Sequence, residues 1–163
     1  MTVKAGVLSR VTRGIYVRPK RSPYVGEVSP EPIKVAEAIA AETGSLIQIH
    51  GAEAARRMGL STQVPTRPIF YTNGPSRRFN LGQMQVLLKH VCPRKLALSG
   101  SPAGIALTAL WYLGKAAVTL ETIEQIGSKL PQSEFETLCS STRSMPGWMH
   151  DVFVKFKATA RHA

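Results

Sequence analysis

The sequence is poor in acidic residues, in cysteine and in long apolar runs. Its 163 residues hold 10 Asp and Glu against 21 Lys and Arg, a net charge of +11 at pH 7. Cys92 and Cys139 stand far apart, so we expect two ordinary thiols in a reducing, cytoplasmic environment rather than a disulfide. No apolar run approaches the ~20 residues of a membrane span, and the first residues do not resemble a signal peptide. We therefore predict a cytoplasmic protein with no membrane partner.

Recognisable catalytic motifs are missing as well. The sequence contains no GxSxG, Walker A, GxGxxG or HExxH pattern. Its four histidines are scattered, whereas metal ligands usually cluster. The acids are too few and too dispersed to favour a metal-dependent nuclease. We predict a protein that is not an enzyme and holds no cofactor or metal. A catalytic site assembled only by the fold is the least favoured of our hypotheses.

Positive charge is what the sequence has in excess. Such an excess attracts polyanions, nucleic acid before anionic membrane. The first acid is Glu27, so the preceding arm is uniformly basic. A solvated face is the simpler explanation for Arg77 and Arg78 taken alone, but the arm favours nucleic acid. The predicted nucleic-acid contacts are Lys4, Arg10, Arg13, Tyr16, Arg18, Lys20, Arg21, Arg77, Arg78, Arg94 and Lys95.

The pattern of apolar residues predicts a mixed α/β (α+β) fold. Two short extended segments around Thr12-Arg13-Gly14 predict a basic N-terminal β-hairpin, after which Pro19, Pro23 and Pro30 are expected to interrupt regular structure. A central mixed sheet of four to five strands with helices should follow, and the last third should be helical. Predicted strands cover 45–50, 68–72, 77–81 and 84–91, and 94–99 is either a strand or the lead into a helix; predicted helices cover 32–42, 52–58 and several segments after Pro102.

Residues 51–65, GAEAARRMGLSTQVP, imitate the first helix and turn of a helix-turn-helix. In that motif a recognition helix must follow directly. Pro65 and Pro68 oppose such a helix, because each removes an amide donor and clashes with the preceding turn. We therefore predict a short helix here and reject a helix-turn-helix.

Four stretches resemble one known family when they are taken in order. They are VTRGIYVRP, GAEAARRMGLSTQVP, FYTNGPSRRFNLG and HVCPRKLALSG, with MPGWM near the end. Together they resemble the AbiEi-type antitoxins of type IV toxin–antitoxin systems, which act in abortive infection as a phage defence. The resemblance spans about residues 7–154. It implies an N-terminal winged helix-turn-helix that represses the operon and a larger domain that counters a nucleotidyltransferase-like toxin without a stable complex.

The resemblance also implies roles for particular segments. VLSRVTRGIYVRP corresponds to the wing, so Arg10, Arg13 and Arg18 would face DNA phosphates or the minor groove. In the family, helices precede the wing, and they would not fit into the six residues before Val7. Three explanations stay open: a short natural form, a misassigned start or a C-terminal fragment. The implied domains are a wing remnant (1–28) and an antitoxin domain (29–163). The implied signature of the latter is Gly51, Ala54, Ala55, Gly59, Leu60, Ser61, Thr62, Gln63, Val64 and Pro65, in which we expect residues 61–63 only to cap and turn the chain.

Two functions remain from this reasoning. The favoured one is a type IV antitoxin that also binds DNA as the transcriptional autoregulator of its operon. The alternative is a non-enzymatic module for DNA or structured RNA without antitoxin activity, which rests on the charge of +11 alone. The sequence carries no indication of oligomeric state.

Overall fold

The structure is a computed structural model that describes residues 2–3, 8–18 and 20–163, with the backbone alone at residues 2, 3, 8, 9 and 27. The chain divides into two compact units, residues 1–47 with 66–90 and residues 48–65 with 91–163. The first unit is rich in strands and the second in helices. The predicted mixed α/β class, N-terminal hairpin and helical C-terminal region are confirmed, and the central mixed sheet, predicted with four to five strands, has four. The domain boundary after residue 28 stays a prediction.

The N-terminal strands form two hairpins, of which the sequence predicted one. β2 and β3 pair antiparallel around a turn in which Gly14 has φ +83°, a conformation that favours glycine. The expectation that prolines interrupt regular structure up to Pro30 is wrong, because β4 and β5 form a second antiparallel hairpin. Pro23 lies in its turn, where it need not donate a ladder hydrogen bond. The strands are β1 (Thr2–Val3), β2 (Leu8–Thr12), β3 (Ile15–Val17), β4 (Lys20–Ser22), β5 (Gly26–Val28), β6 (Ile47–Ile49), β7 (Ile69–Thr72), β8 (Arg77–Leu81) and β9 (Met84–His90).

Helix α1 (Pro32–Thr43) confirms the predicted helix and its ends. Proline opens its first turn, and Gly44 ends it in the left-handed region (φ +65°), with its amide donating to the carbonyls of Ala40 and Ala41. One face is buried and includes Val35 and Ile39. The helix contacts β3 and β7, so it ties the hairpin of β2 and β3 to the strands that come later in the first unit.

The four-stranded sheet has the order β6-β7-β9-β8. β7 and β9 run parallel, whereas β8 and β9 form an antiparallel hairpin. β7 and β8 follow each other in sequence but are not neighbours. Their connection carries Pro75. β9 occupies the place between them.

The second unit is a packing of helices. Small side chains let α2 lie close to α3, and Ala54 and Ala55 are fully buried there. No helix follows α2 within residues 61–68, so the rejection of a helix-turn-helix is confirmed. Residues 93–96 form a 3₁₀ turn that leads into α3. Of the two expectations for 94–99, the lead into a helix is therefore confirmed and the strand is wrong. The helices here are α2 (Gly51–Arg57), α3 (Pro102–Leu113), α4 (Leu120–Lys129), α5 (Gln132–Ser140) and α6 (Gly147–His162).

Candidate nucleic-acid interface

Positive charge is concentrated in the first unit. It holds eleven Lys and Arg against four Glu, whereas the second unit holds ten against six acids. Residues 66–90 contain Arg67, Arg77, Arg78 and Lys89 and no acid at all. This segment supplies three strands of the sheet, so its charge is held on a defined backbone.

The hairpin of β2 and β3 presents the predicted basic arm to solvent. Arg10, Arg13 and Arg18 are exposed, and half of the Tyr16 surface is accessible (49%). The Arg10 Nε donates to the carbonyl of Thr12 at 3.4 Å, which directs that side chain along the strand. β2 contacts β8, so the hairpin lies beside the strand that carries Arg77 and Arg78. Lys4, the remaining predicted contact of this arm, lies outside the described residues.

The second hairpin carries Lys20 and Arg21, both exposed on β4. In the register of the two strands, the backbone of Arg21 is opposite that of Glu27 in β5. The turn between the strands leaves Tyr24 and Val25 93% and 79% exposed. This hairpin is therefore less purely basic than the first one.

The four-stranded sheet has one closed face and one open face. Residues directly opposite on neighbouring strands share a face, and faces alternate along each strand. Phe70, Phe79, Val86 and Leu88 are buried on the closed face. The open face holds a cross-strand row of Ile69, Leu87 and Arg78, with Lys89 two residues after Leu87; the two apolar side chains are half-buried and the two cations exposed.

A cleft of about 350 Å³ lies at this part of the sheet. Ile69 and Leu87 supply the apolar lining from the open face, and the remaining lining residues are Ser76, Arg77, Arg78, Leu88 and Lys89. Arg77 and Leu88 are opposite each other in the register of the closed face and reach the cleft at its edge. No acid lines it. Among residues whose side chains the structure describes, neither arginine nor Lys89 forms an ion pair. We refer to these seven residues as the sheet cleft.

A network of hydrogen bonds fixes the loop before β8. The amide of His90 donates to Ser76 Oγ at 2.9 Å, and the His90 Nδ1 donates to the carbonyl of Gly74 at 2.8 Å, since a carbonyl only accepts. Asn73 Oδ1 accepts from the amide of Leu46 at 2.8 Å. His90 thus has a structural role, and the loop holds Arg77 and Arg78 at the end of the cleft.

Arg94 and Lys95 belong to the second unit and are used in packing there. The Arg94 guanidinium lies 5.8 Å and the Lys95 Nζ 5.1 Å from the centroid of the Trp111 ring, within cation–π range. Arg94 also donates to the carbonyl of Met145. Their contact with nucleic acid stays a prediction, while these packing interactions already account for both side chains.

The predicted signature residues mostly have structural roles. Gly51 faces Tyr112 so closely that a Cβ would overlap its side chain, and Ala54 and Ala55 fill the contact of α2 with α3. The carbonyl of Gly59, after the end of α2, accepts from Gln125 Nε2 at 2.7 Å. Ser61 Oγ accepts from the amide of Gln63 at 3.2 Å, in line with the expected capping and turning of this stretch. Leu60 and Pro65 are half-buried, and Thr62, Gln63 and Val64 are exposed.

Both cations of α2 are paired with a single carboxylate of the same helix. Glu53 accepts from Arg56 at 2.7 and 2.8 Å and from Arg57 at 2.9 Å. The hydrogen bond from Arg56 is the main cause that lowers the pKa of Glu53 to about 2, and Arg57 adds to it against an opposing effect of partial burial. Glu53 thus neutralises one of the two positive charges, and both guanidinium groups already have a partner, unlike the described cations of the open sheet face.

Other candidate chemical groups are isolated in the part of the chain that the structure describes. Cys92 is exposed and Cys139 buried, both as free thiols, and burial raises the pKa of the Cys139 thiol. No three His, Cys, Asp or Glu side chains there come together in a way that could hold a metal ion. None of the described helices combines the length and the apolar character that a membrane crossing requires. The predictions of no enzyme, no cofactor and no metal stay predictions.

Sequence reasoning missed the sheet cleft as a unit. Arg77 and Arg78 were predicted contacts, but Ile69, Ser76 and Lys89 were not, because only strand register brings them together. The one signal in the sequence was the absence of acids, which extends over residues 54–120 and so includes 66–90.

Comparison with known proteins places the chain in a family. Residues 2–138 match a family described as "Family of unknown function (DUF6088)", and the chain belongs to it. No curated protein and no solved structure matches the chain.

Proposed function

We propose that this chain, as a member of that family, binds nucleic acid by its phosphate backbone through the basic surface of the first unit. The observation that carries the proposal is the placement of the hairpin of β2 and β3 beside β8. Two sets of exposed arginines, one on each element, then belong to one unit that has a large excess of cations. Arginine is suited to phosphate because its planar fork can donate two hydrogen bonds at once.

The test is a salt titration of binding to duplex DNA and to duplex RNA. Each phosphate contact should contribute about −0.9 to the slope of log K against log salt on B-DNA. Replacing Arg10, Arg13 and Arg18 together with alanine should lower affinity to a similar extent for unrelated sequences and reduce the slope by about 3. Replacing Arg56 and Arg57, which both pair with Glu53, is the matched control and should leave the slope nearly unchanged. Affinity that does not respond to salt would contradict the proposal.

We further propose that the chain acts as an antitoxin of a type IV toxin–antitoxin system and regulates its own operon. The support is the order of four motifs that resemble AbiEi-type antitoxins. On this proposal the functional partner is a nucleotidyltransferase-like toxin encoded next to it, which the chain counters without a stable complex. Operator DNA would be the ligand of the basic surface.

Co-expression with the neighbouring toxin tests the antitoxin role. Growth should recover when the chain is expressed, and it should recover equally with the alanine variant of Arg10, Arg13 and Arg18 if antitoxicity and DNA binding are separate activities. If the toxin still stops growth while the chain is present in soluble form at a comparable level, the antitoxin role is wrong and the nucleic-acid proposal stands alone.

A further inference from the structure

We infer that the sheet cleft is a binding site for a nucleoside phosphate, occupied by one unstacked nucleotide of a single-stranded nucleic acid. The inference rests on the proposed nucleic-acid binding. It adds that a single strand is also bound, and that one of its nucleotides occupies a defined place on the sheet. A free nucleotide has the same chemistry and is the other possible source of this ligand.

The floor of the cleft suits a base. Ile69 and Leu87 are directly opposite each other on the parallel strands β7 and β9, and both are half-buried on the open face. Strands lie ~4.8 Å apart, so the two side chains form a short, continuous apolar surface. Proteins hold unstacked bases against aromatic and apolar side chains in this way. In a duplex the faces of the bases are covered by their neighbours, so only an unstacked base could use this floor.

The margins of the cleft suit a phosphate. Arg78 is opposite Leu87 on the side away from Ile69, and Lys89 follows Leu87 on the same face. Both cations are exposed and form no ion pair with the described side chains. A ligand with its apolar part over Ile69 and Leu87 therefore meets positive charge one strand spacing away. The volume of about 350 Å³ is at the lower end of the range of small-ligand sites, roughly 300–1,000 Å³.

The cationic end of the cleft is preorganised. Ser76 and Gly74 are both hydrogen-bonded to His90, so the turn before β8 is tied to the end of β9. The arginines that follow Ser76 thus start from a fixed backbone, which reduces the entropy that ordering them on a ligand would cost. An acidic peptide would need cations but no flat apolar floor between strands, so the combination favours a nucleotide.

The first measurement is a heteronuclear NMR titration of the full chain with 5′-AMP and, separately, with inorganic phosphate. We expect 5′-AMP to shift the amides of residues 69, 76–78 and 87–89, and phosphate to shift those of 76–78 and 89 more weakly. The variant Ile69→Thr keeps a β-branched residue in the strand and should weaken 5′-AMP binding without affecting phosphate. Equal shifts with both ligands, unchanged in Ile69→Thr, would show an anion cradle only and overturn the inference.

The second measurement compares a labelled single-stranded dodecamer with the corresponding duplex. The double variant R78Q/K89Q should lower single-strand affinity about tenfold or more, the size expected when hydrogen bonds to a charged group are lost. K34Q, on the exposed side of α1, is the control and should change it much less. Thermal unfolding of both variants checks that they are folded.

The outcomes separate the two proposals. If duplex binding stays salt-dependent while R78Q/K89Q leaves single-strand affinity unchanged, the inference fails and the proposed function stands. If the dodecamer binds and competes with 5′-AMP, the nucleotide belongs to a strand. If 5′-AMP binds to the cleft but the dodecamer does not, the site takes a free nucleotide and the assignment to a strand is overturned.

Discussion

The two units of this chain use positive charge in different ways. In the second unit, Arg56 and Arg57 pair with Glu53, and Arg94 and Lys95 lie over Trp111. In the first unit, Arg77, Arg78 and Lys89 are exposed and form no ion pair with the described side chains. A count of basic residues treats all of these cations alike. Whether a cation already has a partner is what distinguishes a binding surface from a packed one.

The largest expected loss of stability comes from Gly104→Ala in α3, in the second unit. The Cα of Gly104 lies against the carbonyl of Leu98, and a Cβ there would overlap this backbone oxygen. Because Leu98 is itself held at φ +61° and its carbonyl accepts from Ser101, the oxygen has little room to move. We expect a loss of about 3 kcal/mol in unfolding free energy, measured by denaturant unfolding. Gly147→Ala, where nothing lies within 4 Å, should be nearly neutral.

Two double variants, one in each unit, test whether the cations of the first unit bind nucleic acid and those of the second unit stabilise the fold. The variant R77Q/R78Q should reduce the salt slope of duplex binding by about 2, with little change in stability. The variant R94Q/K95Q should lower stability by about 1 kcal/mol, because cation–π contacts with Trp111 are lost, and should leave the slope unchanged. Fluorescence anisotropy across salt concentrations and thermal unfolding provide the two readouts. The reverse pattern would contradict the assignment of the interface to the first unit.

The loop before β8 offers a test of preorganisation. In His90→Ala the Gly74 carbonyl loses its donor, although the amide at position 90 still reaches Ser76. We expect a loss of about 1 kcal/mol in stability and a smaller, measurable loss in affinity for the single-stranded dodecamer. His150→Ala, at an exposed position on α6, is the control and should change neither. An affinity loss as large as that of R78Q/K89Q would mean that His90 contacts the ligand itself.

The smallest expected effect is the pH dependence that Glu53 adds. Its folded-state pKa, about 2, is below the ordinary value of 4.5, so its ion pairs contribute stability above pH 4.5 that is lost as pH falls towards 2. The pair is on the surface, so this contribution should not exceed about 1 kcal/mol. Carboxyl NMR titration should give a midpoint near 2 that rises in Arg56→Ala. A wild-type midpoint near 4.5 would show that α2 is not compensated.

Much of the fold could be predicted from local patterns. The helix predicted over 32–42 is observed as α1 over Pro32–Thr43, and helices are observed after Pro102 as predicted. The second hairpin was missed because prolines were taken as breaks, although Pro23 lies in a turn that tolerates it. Gln48 alternates with Ile47 and Ile49 along its strand, yet this polar residue is only 5% exposed. The burial of Gln48 depends on other elements that pack against its strand, and these are distant in sequence.

The candidate site was predictable only in part. The basic arm could be identified because an acid-free arm is a property of sequence. The separate roles of Lys89 and Lys95, which are only six residues apart, could not be identified from the sequence. Lys89 is on the open face of a strand, whereas Lys95 is in a 3₁₀ turn over Trp111, and this difference arises from contacts with residues distant in sequence.

The sequence by itself determined the charge of the molecule, the positions of its main helices and strands and the absence of acids before residue 27 and from 66 to 90. These are local properties, set by composition, periodicity and the conformational limits of proline and glycine. The tertiary structure decided which strands are neighbours, and so placed Arg78 beside Leu87 and Ile69. It also decided which cations already have partners. Both depend on register and packing between distant segments, since a shift of one residue would move every side chain of β9 to the other face.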